Sequence, residues 1–142
     1  MLDGRDVSSD IRQPRITQYV SDVAKIKEVR DVMVQLQRNL GAKGNVILDG
    51  RDIGTVVFPL ADKKFFIDAD FNERVNRRHK ESITLGQKIT IENVNADLSN
   101  RDKIDSTRKI APLKRADDAI FVDTTNLSIE EVVNKLLSFI NG

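Results

Sequence analysis

Apolar positions along the chain fall into two kinds of run. Ile26, Val29, Met33, Leu36 and Leu40 recur three or four apart, which predicts a helix over residues 19–40 with one buried stripe, ending before Gly41. Residues 46–48, 64–67 and 119–122 are short apolar runs of strand length, and each stops at an aspartate: Asp49, Asp68 and Asp123. Residues 53–58 are apolar without a decisive period, so a strand and a short helix both fit. Asp70 with Glu73, and Ser128 with Glu131, have capping-box spacing and predict helices opening at Phe71 and Ile129. Ile89, Ile91, Val94 and Leu98 suggest an amphipathic helix over 86–100. The first fourteen residues are polar, carry Asp-Gly and Ser-Ser turn signals, and close at Pro14. Short strands separated by helices predict an α/β class with a parallel sheet, and ligands in such sheets bind beyond the carboxyl ends of the strands.

Composition narrows the classes. A chain of 142 residues fits one domain, which at this size buries about 68–70% of its unfolded surface. Its 23 Lys and Arg against 22 Asp and Glu leave a net charge of +1, so there is no bulk attraction to nucleic acid or to an anionic membrane, and any anion site must be local. With no cysteine there is no disulfide, thiolate nucleophile or cysteine metal site. No apolar run reaches the ~18 residues of a membrane span, and the first residues lack a signal-peptide layout, so a cytoplasmic location is expected.

Candidate chemistry gathers at charged turns and helix faces. Arg51, in the turn Asp49-Gly50-Arg51-Asp52 after the first apolar run, offers a fixed fork of donors to a phosphate or carboxylate, although a surface hairpin also fits. Arg74, Arg77 and Arg78 share a helix face, which is either solvated and paired with Glu73 and Glu81 or a phosphate clamp. Arg101, Asp105 and Arg108 project from one face if their segment is helical, as an ion-pair ladder or as part of a site. Arg30 beside the apolar stripe reads as a solvated helix charge, Ser21 as a cap or turn residue, and His79 as an exposed histidine without a partner of metal-ligand spacing.

These segments together resemble bacterial cytidylate kinases, a family of nucleoside monophosphate kinases. The matching blocks are Val20-Ser21-Asp22-Val23-Ala24, Val29-Arg30, Gln37-Arg38, DGRDIGTVVFP (49–59), ERVNRR (73–78), RDKIDSTRKIAPL (101–113) and ADDAIFVDTTNLSIEEVV (116–133), in order and with compatible spacing. The resemblance implies a P-loop NTPase-like parallel sheet with flanking helices, and ATP-dependent, Mg²⁺-assisted phosphoryl transfer to CMP or dCMP. It assigns Ser21 and Arg30 to the cytosine ring and Asp52 to the vicinity of the base. Arg51 and Arg108 fall on acceptor-phosphate positions, and Arg101 and Asp105 on sugar and phosphate positions, with Asp105 toward the ribose hydroxyls. Arg74, Arg77 and Arg78 match a lid over the donor phosphates, and Asp49 an acid near magnesium.

The departure is the glycine-rich GxxxxGK[ST] loop of such kinases, which occurs nowhere in the 142 residues. The expectation is therefore an incomplete fold without the first strand and P-loop, and a chain inactive by itself. It would be a single domain over 1–142, with 1–40 a remnant of the monophosphate-binding region and its following helix, 71–100 the approximate lid, and the remainder core. Two other readings follow: a non-catalytic nucleotide- or partner-binding remnant, whose first strand could come from another chain, and an RNA-binding module. The last is disfavoured by the charge balance and by one Tyr and no Trp for stacking.

Overall fold

The computed structural model describes residues 1–141, without the side chains of Arg12, Pro14, Thr17, Gln18 and Ser21. A tight turn at Asp3 and Gly4 bridges Leu2 to Arg5, and a 3-10 turn, Asp10–Arg12, leads into helix α1 (Pro14–Val23) with proline in its first turn. Helix α2 (Lys27–Gly41) follows, then a π-helical turn, Ile53–Val57. Strand β1 (Phe65–Asp68), helices α3 (Phe71–Thr84) and α4 (Ile91–Thr107), strand β2 (Ile120–Asp123) and helix α5 (Ile129–Asn141) complete the described order.

The two strands are parallel, with Phe65 opposite Ile120 and Asp68 opposite Asp123, so the chain is α/β with a small parallel sheet flanked by helices. Phe66 stacks on Phe121 across the ladder at 6.3 Å, and Phe65 meets Phe139 of α5 at 6.2 Å, which seats that helix on the sheet. Helices α3 and α4 pack together, and the fully buried apolar residues are few: Val57, Val75, Val94, Ala119 and Val122.

Three sequence expectations are corrected. The run 46–48 joins no ladder: β1 pairs with β2 alone and its other edge meets no described strand, and Ile47 is 98% exposed. The helix expected over 19–40 is two helices, broken at Ala24, Lys25 and Ile26, with Ile26 extended at the start of α2. The carbonyl of Ala24 is taken by the Arg30 guanidinium at 3.3 Å, a partner that apolar spacing does not reveal. The stripe Ile26, Val29, Met33, Leu36 and Leu40 is exposed rather than buried, since nothing among the described residues covers that face of α2. The fourth segment shifts rather than fails: the helix expected over 86–100 is α4, capped by Thr90, whose side chain accepts from the Asn93 amide.

The surface reflects that open face. A closed globule of 16.0 kDa has an accessible area of about 7,400 Å² by the usual scaling, whereas this chain exposes 10569 Å². That corresponds to burial of only about 54% of the unfolded surface, short of the value expected from length. No helix among the described residues is long and apolar enough to cross a membrane.

Both helix starts fall where the sequence predicts, but only the second is a full capping box: the Asp70 amide donates to Thr125 Oγ1 and Glu73 pairs with Arg77 instead. Asp70 accepts from the amides of Asn72 and Glu73 and opens α3. Ser128 and Glu131 form the full reciprocal box: the Ser128 amide and hydroxyl donate to the Glu131 carboxylate, and the Glu131 amide donates to Ser128 Oγ. The bonds from Ser128 hold the Glu131 carboxyl below the ordinary glutamate value of 4.5. A carboxyl depressed in the folded state stabilises above its unfolded value, and that stabilisation is lost as pH falls through the lower folded value. The unfolding midpoint of wild type should therefore drop from pH 5 to pH 3 more steeply than that of Glu131→Ala, measured by circular dichroism at both pH values; parallel profiles would show that the box contributes nothing.

Candidate functional site

Six charged side chains from three stretches of chain meet beside the π-helical turn. Arg30 comes from α2, Arg51 and Asp52 from the turn after the unpaired 45–49 segment, and Arg101, Asp105 and Arg108 from the C-terminal half and end of α4. Spacings of four and three on α4 bring Arg101 and Arg108 to Asp105 as a helical period requires. Asp105, with its side chain 4% exposed, lies 3.2 Å from Arg51 Nε, 3.4 Å from Arg108 Nη1 and 3.9 Å from Arg101 Nε. Asp52 pairs with Arg30 and stands 4.0 Å from Arg108 Nη2, so it joins the two halves of the cluster.

Four guanidinium groups face two carboxylates, an excess of two positive charges in a partly buried space. Two donors are left over: Arg108 Nη2 and Arg101 Nε are buried and have no hydrogen-bond partner. Burial and the neighbouring Arg30 pull the Arg108 guanidinium below its ordinary value, against the opposing pull of Asp105 and Asp52, and as an arginine it stays charged. Unpaired buried donors beside surplus positive charge are suited to donate to the oxygens of an anion.

The turn that carries Arg51 and Asp52 is held from several sides. The Asp52 carbonyl accepts from the Val56 and Val57 amides at 2.9 and 3.3 Å, and the Phe58 amide donates to the Ile53 carbonyl at 2.7 Å. Lys64, at the start of the sheet, is buried; its Nζ donates to both oxygens of Asp118, at 2.6 and 2.9 Å, and to the Pro59 carbonyl. Its stem fills the space a side chain at Gly54 would need, with Lys64 Cδ 3.3 Å from where a Cβ would stand. Gly54 therefore yields to Lys64 rather than to a ligand. Sequence reading missed Lys64, because a lysine at the head of an apolar run carries no sign of burial.

The other predicted residues lie elsewhere. Arg74 is bound to Asp102 at 2.5 Å and to the Ala69 carbonyl, which places it one residue from Arg101 in the chain of contacts. Arg77 pairs with Glu73 and donates to the carbonyls of Thr124 and Thr125, tying α3 to the end of β2. Arg78 pairs with Glu81. The three arginines thus take separate partners and do not converge. The side chain of Ser21 lies outside the described residues. Asp49 is exposed, and among the described residues no three of His, Cys, Asp or Glu are placed to hold a metal ion.

The aspartates at the strand ends serve the turns rather than a ligand edge. Asp123 accepts from the Thr125 amide and hydroxyl, and Asp68 accepts from the Ala69 amide. His79 is half-buried, with Nε2 3.2 Å from the Ile89 carbonyl, where the sequence suggested an exposed residue.

The charge arrangement makes a stability contrast. Removing the buried Asp105 leaves three guanidinium groups without their shared carboxylate, and Asp105→Ala should cost about 3 kcal/mol. Arg101→Ala should cost less than about 1 kcal/mol, because that side chain is half exposed and its pair is long. Urea denaturation of both variants checks this, and equal losses would mean that the carboxylate is not central.

The sequence is similar to known proteins along its whole length. The model of the cytidylate kinase family matches residues 1–142. A cytidylate kinase of Clostridioides difficile is 52% identical over 140 residues, covering 99% of this chain and 65% of the relative. Cytidylate kinases of Carboxydothermus hydrogenoformans and Bacillus cereus are 49% and 50% identical over 140 and 141 residues, again covering 99% of this chain. The chain spans 63% of the length of these last two.

Proposed function

The chain belongs to the cytidylate kinase family, and on that premise we propose that it carries the acceptor-nucleotide side of ATP-dependent phosphoryl transfer to CMP or dCMP. The observation that carries the reading is the excess of guanidinium charge around Asp52 and Asp105, with buried donors on Arg108 and Arg101 left without partners. Arg51, Arg101 and Arg108 take the phosphate of the acceptor nucleotide. Arg30 and Asp52, with Ser21, take the cytosine ring, and Asp105 holds the arginines and reaches the ribose hydroxyls.

The physical demands of the reaction suit this division. Phosphoryl transfer needs positioning and neutralisation of charge on the equatorial oxygens, and fixed arginine forks supply both without proton exchange. A paired Arg30 and Asp52 offer donors and an acceptor side by side, and a base that leaves either unpaired is penalised. The donor side needs more than these residues. ATP phosphates have no GxxxxGK[ST] loop in the 142 residues, and contact from Arg74, Arg77 and Arg78, on the lid proposed for 71–100, requires them to leave Asp102, Thr124 and Glu81. When bound, Mg²⁺ would neutralise donor phosphates; the described carboxylates form no preformed cage for it, and Asp49 stands alone as a candidate contact.

A second reading, nucleotide binding without turnover by this chain alone, is favoured by the cluster of acceptor-side arginines and aspartates beside the lack of that loop motif. One pair of measurements separates the two. Calorimetry should show CMP binding to the chain, weakened about tenfold or more in Arg108→Gln, while a coupled assay of ADP formation with CMP and ATP should show little or no turnover by the chain alone. Robust turnover would overturn the expected inactivity, and no CMP binding by the folded chain would overturn both readings.

The unladdered 45–49 segment, the free edge of β1 and the exposed stripe on α2 support a further strand in the working enzyme, from the same protein or from another chain. In a longer protein that supplies it, the amides of residues 46–48 should exchange far more slowly with deuterium than in the 142-residue chain. Equal exchange would remove this part of the proposal.

A further inference from the structure

Arg38 belongs to no ion pair among the described residues, yet it is one of the best-anchored side chains of α2. Its Nε donates to the Val57 carbonyl at 3.0 Å and its Nη2 to the Val56 carbonyl at 2.8 Å. These carbonyls close the π-helical turn, at the end where a helical segment has no acceptors of its own making satisfied from within. One guanidinium fork thus holds two consecutive peptide groups, a task set by planar geometry rather than by charge.

The same helix grips the other end of the turn. Arg30 lies eight residues earlier on α2, about 12 Å along its axis, and pairs with Asp52, which begins the turn. A third point of registration follows at the helix end, where a Cβ added to Gly41 would sit 2.4 Å from the tip of the Phe58 ring. Helix α2 and the 52–58 segment are therefore locked in one relative position by Arg30 at the start, Arg38 at the end and the Gly41 contact just beyond. Asp52 is in turn the joint between Arg30 and Arg108.

We infer that Arg38 is a positioning residue: by fixing the far end of the turn on α2 it sets Asp52 against Arg30, and so sets how well the site discriminates the nucleobase. This deepens the proposed acceptor-nucleotide reading and rests on it for the ligand, though not for the positioning itself. Arg38 touches no ligand in this scheme. Its effect passes through Asp52 and Arg30, and a displacement of the order of 1 Å in such a pair is enough to degrade a site.

Arg38→Lys keeps the charge and supplies a single point donor in place of the fork. In the variant, deuterium exchange should accelerate at the amides of Val56, Val57 and Phe58 while the amides of α4 hold their wild-type rates. CMP affinity, by calorimetry, should fall about tenfold, with preference over UMP reduced, while affinity for ribose 5-phosphate changes less than about twofold. In an Arg30→Ala background, Arg38→Lys should add little further loss of CMP affinity, because the two act through one pair. Gly41→Ala should reproduce the faster exchange through a different contact. Unchanged exchange in the turn would overturn the inference, and so would a CMP loss that is additive with Arg30→Ala or equalled by the loss for ribose 5-phosphate. Absence of CMP binding in wild type with faster turn exchange in the variant would sink the nucleotide reading and leave the positioning of the turn by Arg38 standing.

Discussion

The site depends on a buried carboxylate, Asp105, that three arginines share. Guanidinium groups repel one another, and in a space of low dielectric that repulsion grows. Asp105 offsets it by standing within 4 Å of Arg51, Arg101 and Arg108, so that each can be held near the others. Compensation is incomplete: with Arg30 and its partner Asp52 also counted, four guanidinium groups face two carboxylates and two positive charges remain. That remainder lets the cluster attract an anion, where a fully neutralised ladder would only hold the fold together.

Packing plays a smaller part than charge in shaping this region. Few apolar side chains are fully buried, and much of α2 and the 45–49 segment is exposed. The turn bearing Arg51 and Asp52 is consequently held by polar anchors: Arg38 and Arg30 from α2, Lys64 from the head of β1, and Arg108 from the end of α4. Each anchor is a long side chain whose charged head meets a carbonyl or carboxylate. Such a scaffold is directional. It fixes orientation where a purely apolar contact would fix only proximity.

Different parts of the molecule were legible in the sequence to different degrees, for a consistent reason. The Ser128 and Glu131 box, the Asp70 cap and the period that aligns Arg101, Asp105 and Arg108 are interactions within four residues, and local spacing encodes them. The run 46–48 has the composition of a strand, but strand pairing is a property of two segments, and among the described residues β1 and β2 are the strands that find each other. The break between α1 and α2 leaves no glycine or proline, and the apolar spacing runs through it undisturbed. Arg74, Arg77 and Arg78 share a helix as the spacing requires, yet their guanidinium groups diverge because Asp102, Thr124 and Glu81 lie in different directions.

The sequence by itself determined the caps, the helix and strand identities of the C-terminal half, the family, and which arginines and aspartates were candidates. Only the tertiary structure decided that Arg30 meets Asp52 across 22 residues, that Arg51 meets Asp105 on α4, and that Arg38 and Lys64 hold the turn between them. The physical reason is range. Caps and helical ladders are written in consecutive residues, whereas the charge balance of the site is the sum of side chains brought from separate segments, and no spacing along the chain records which carboxylate each guanidinium will find.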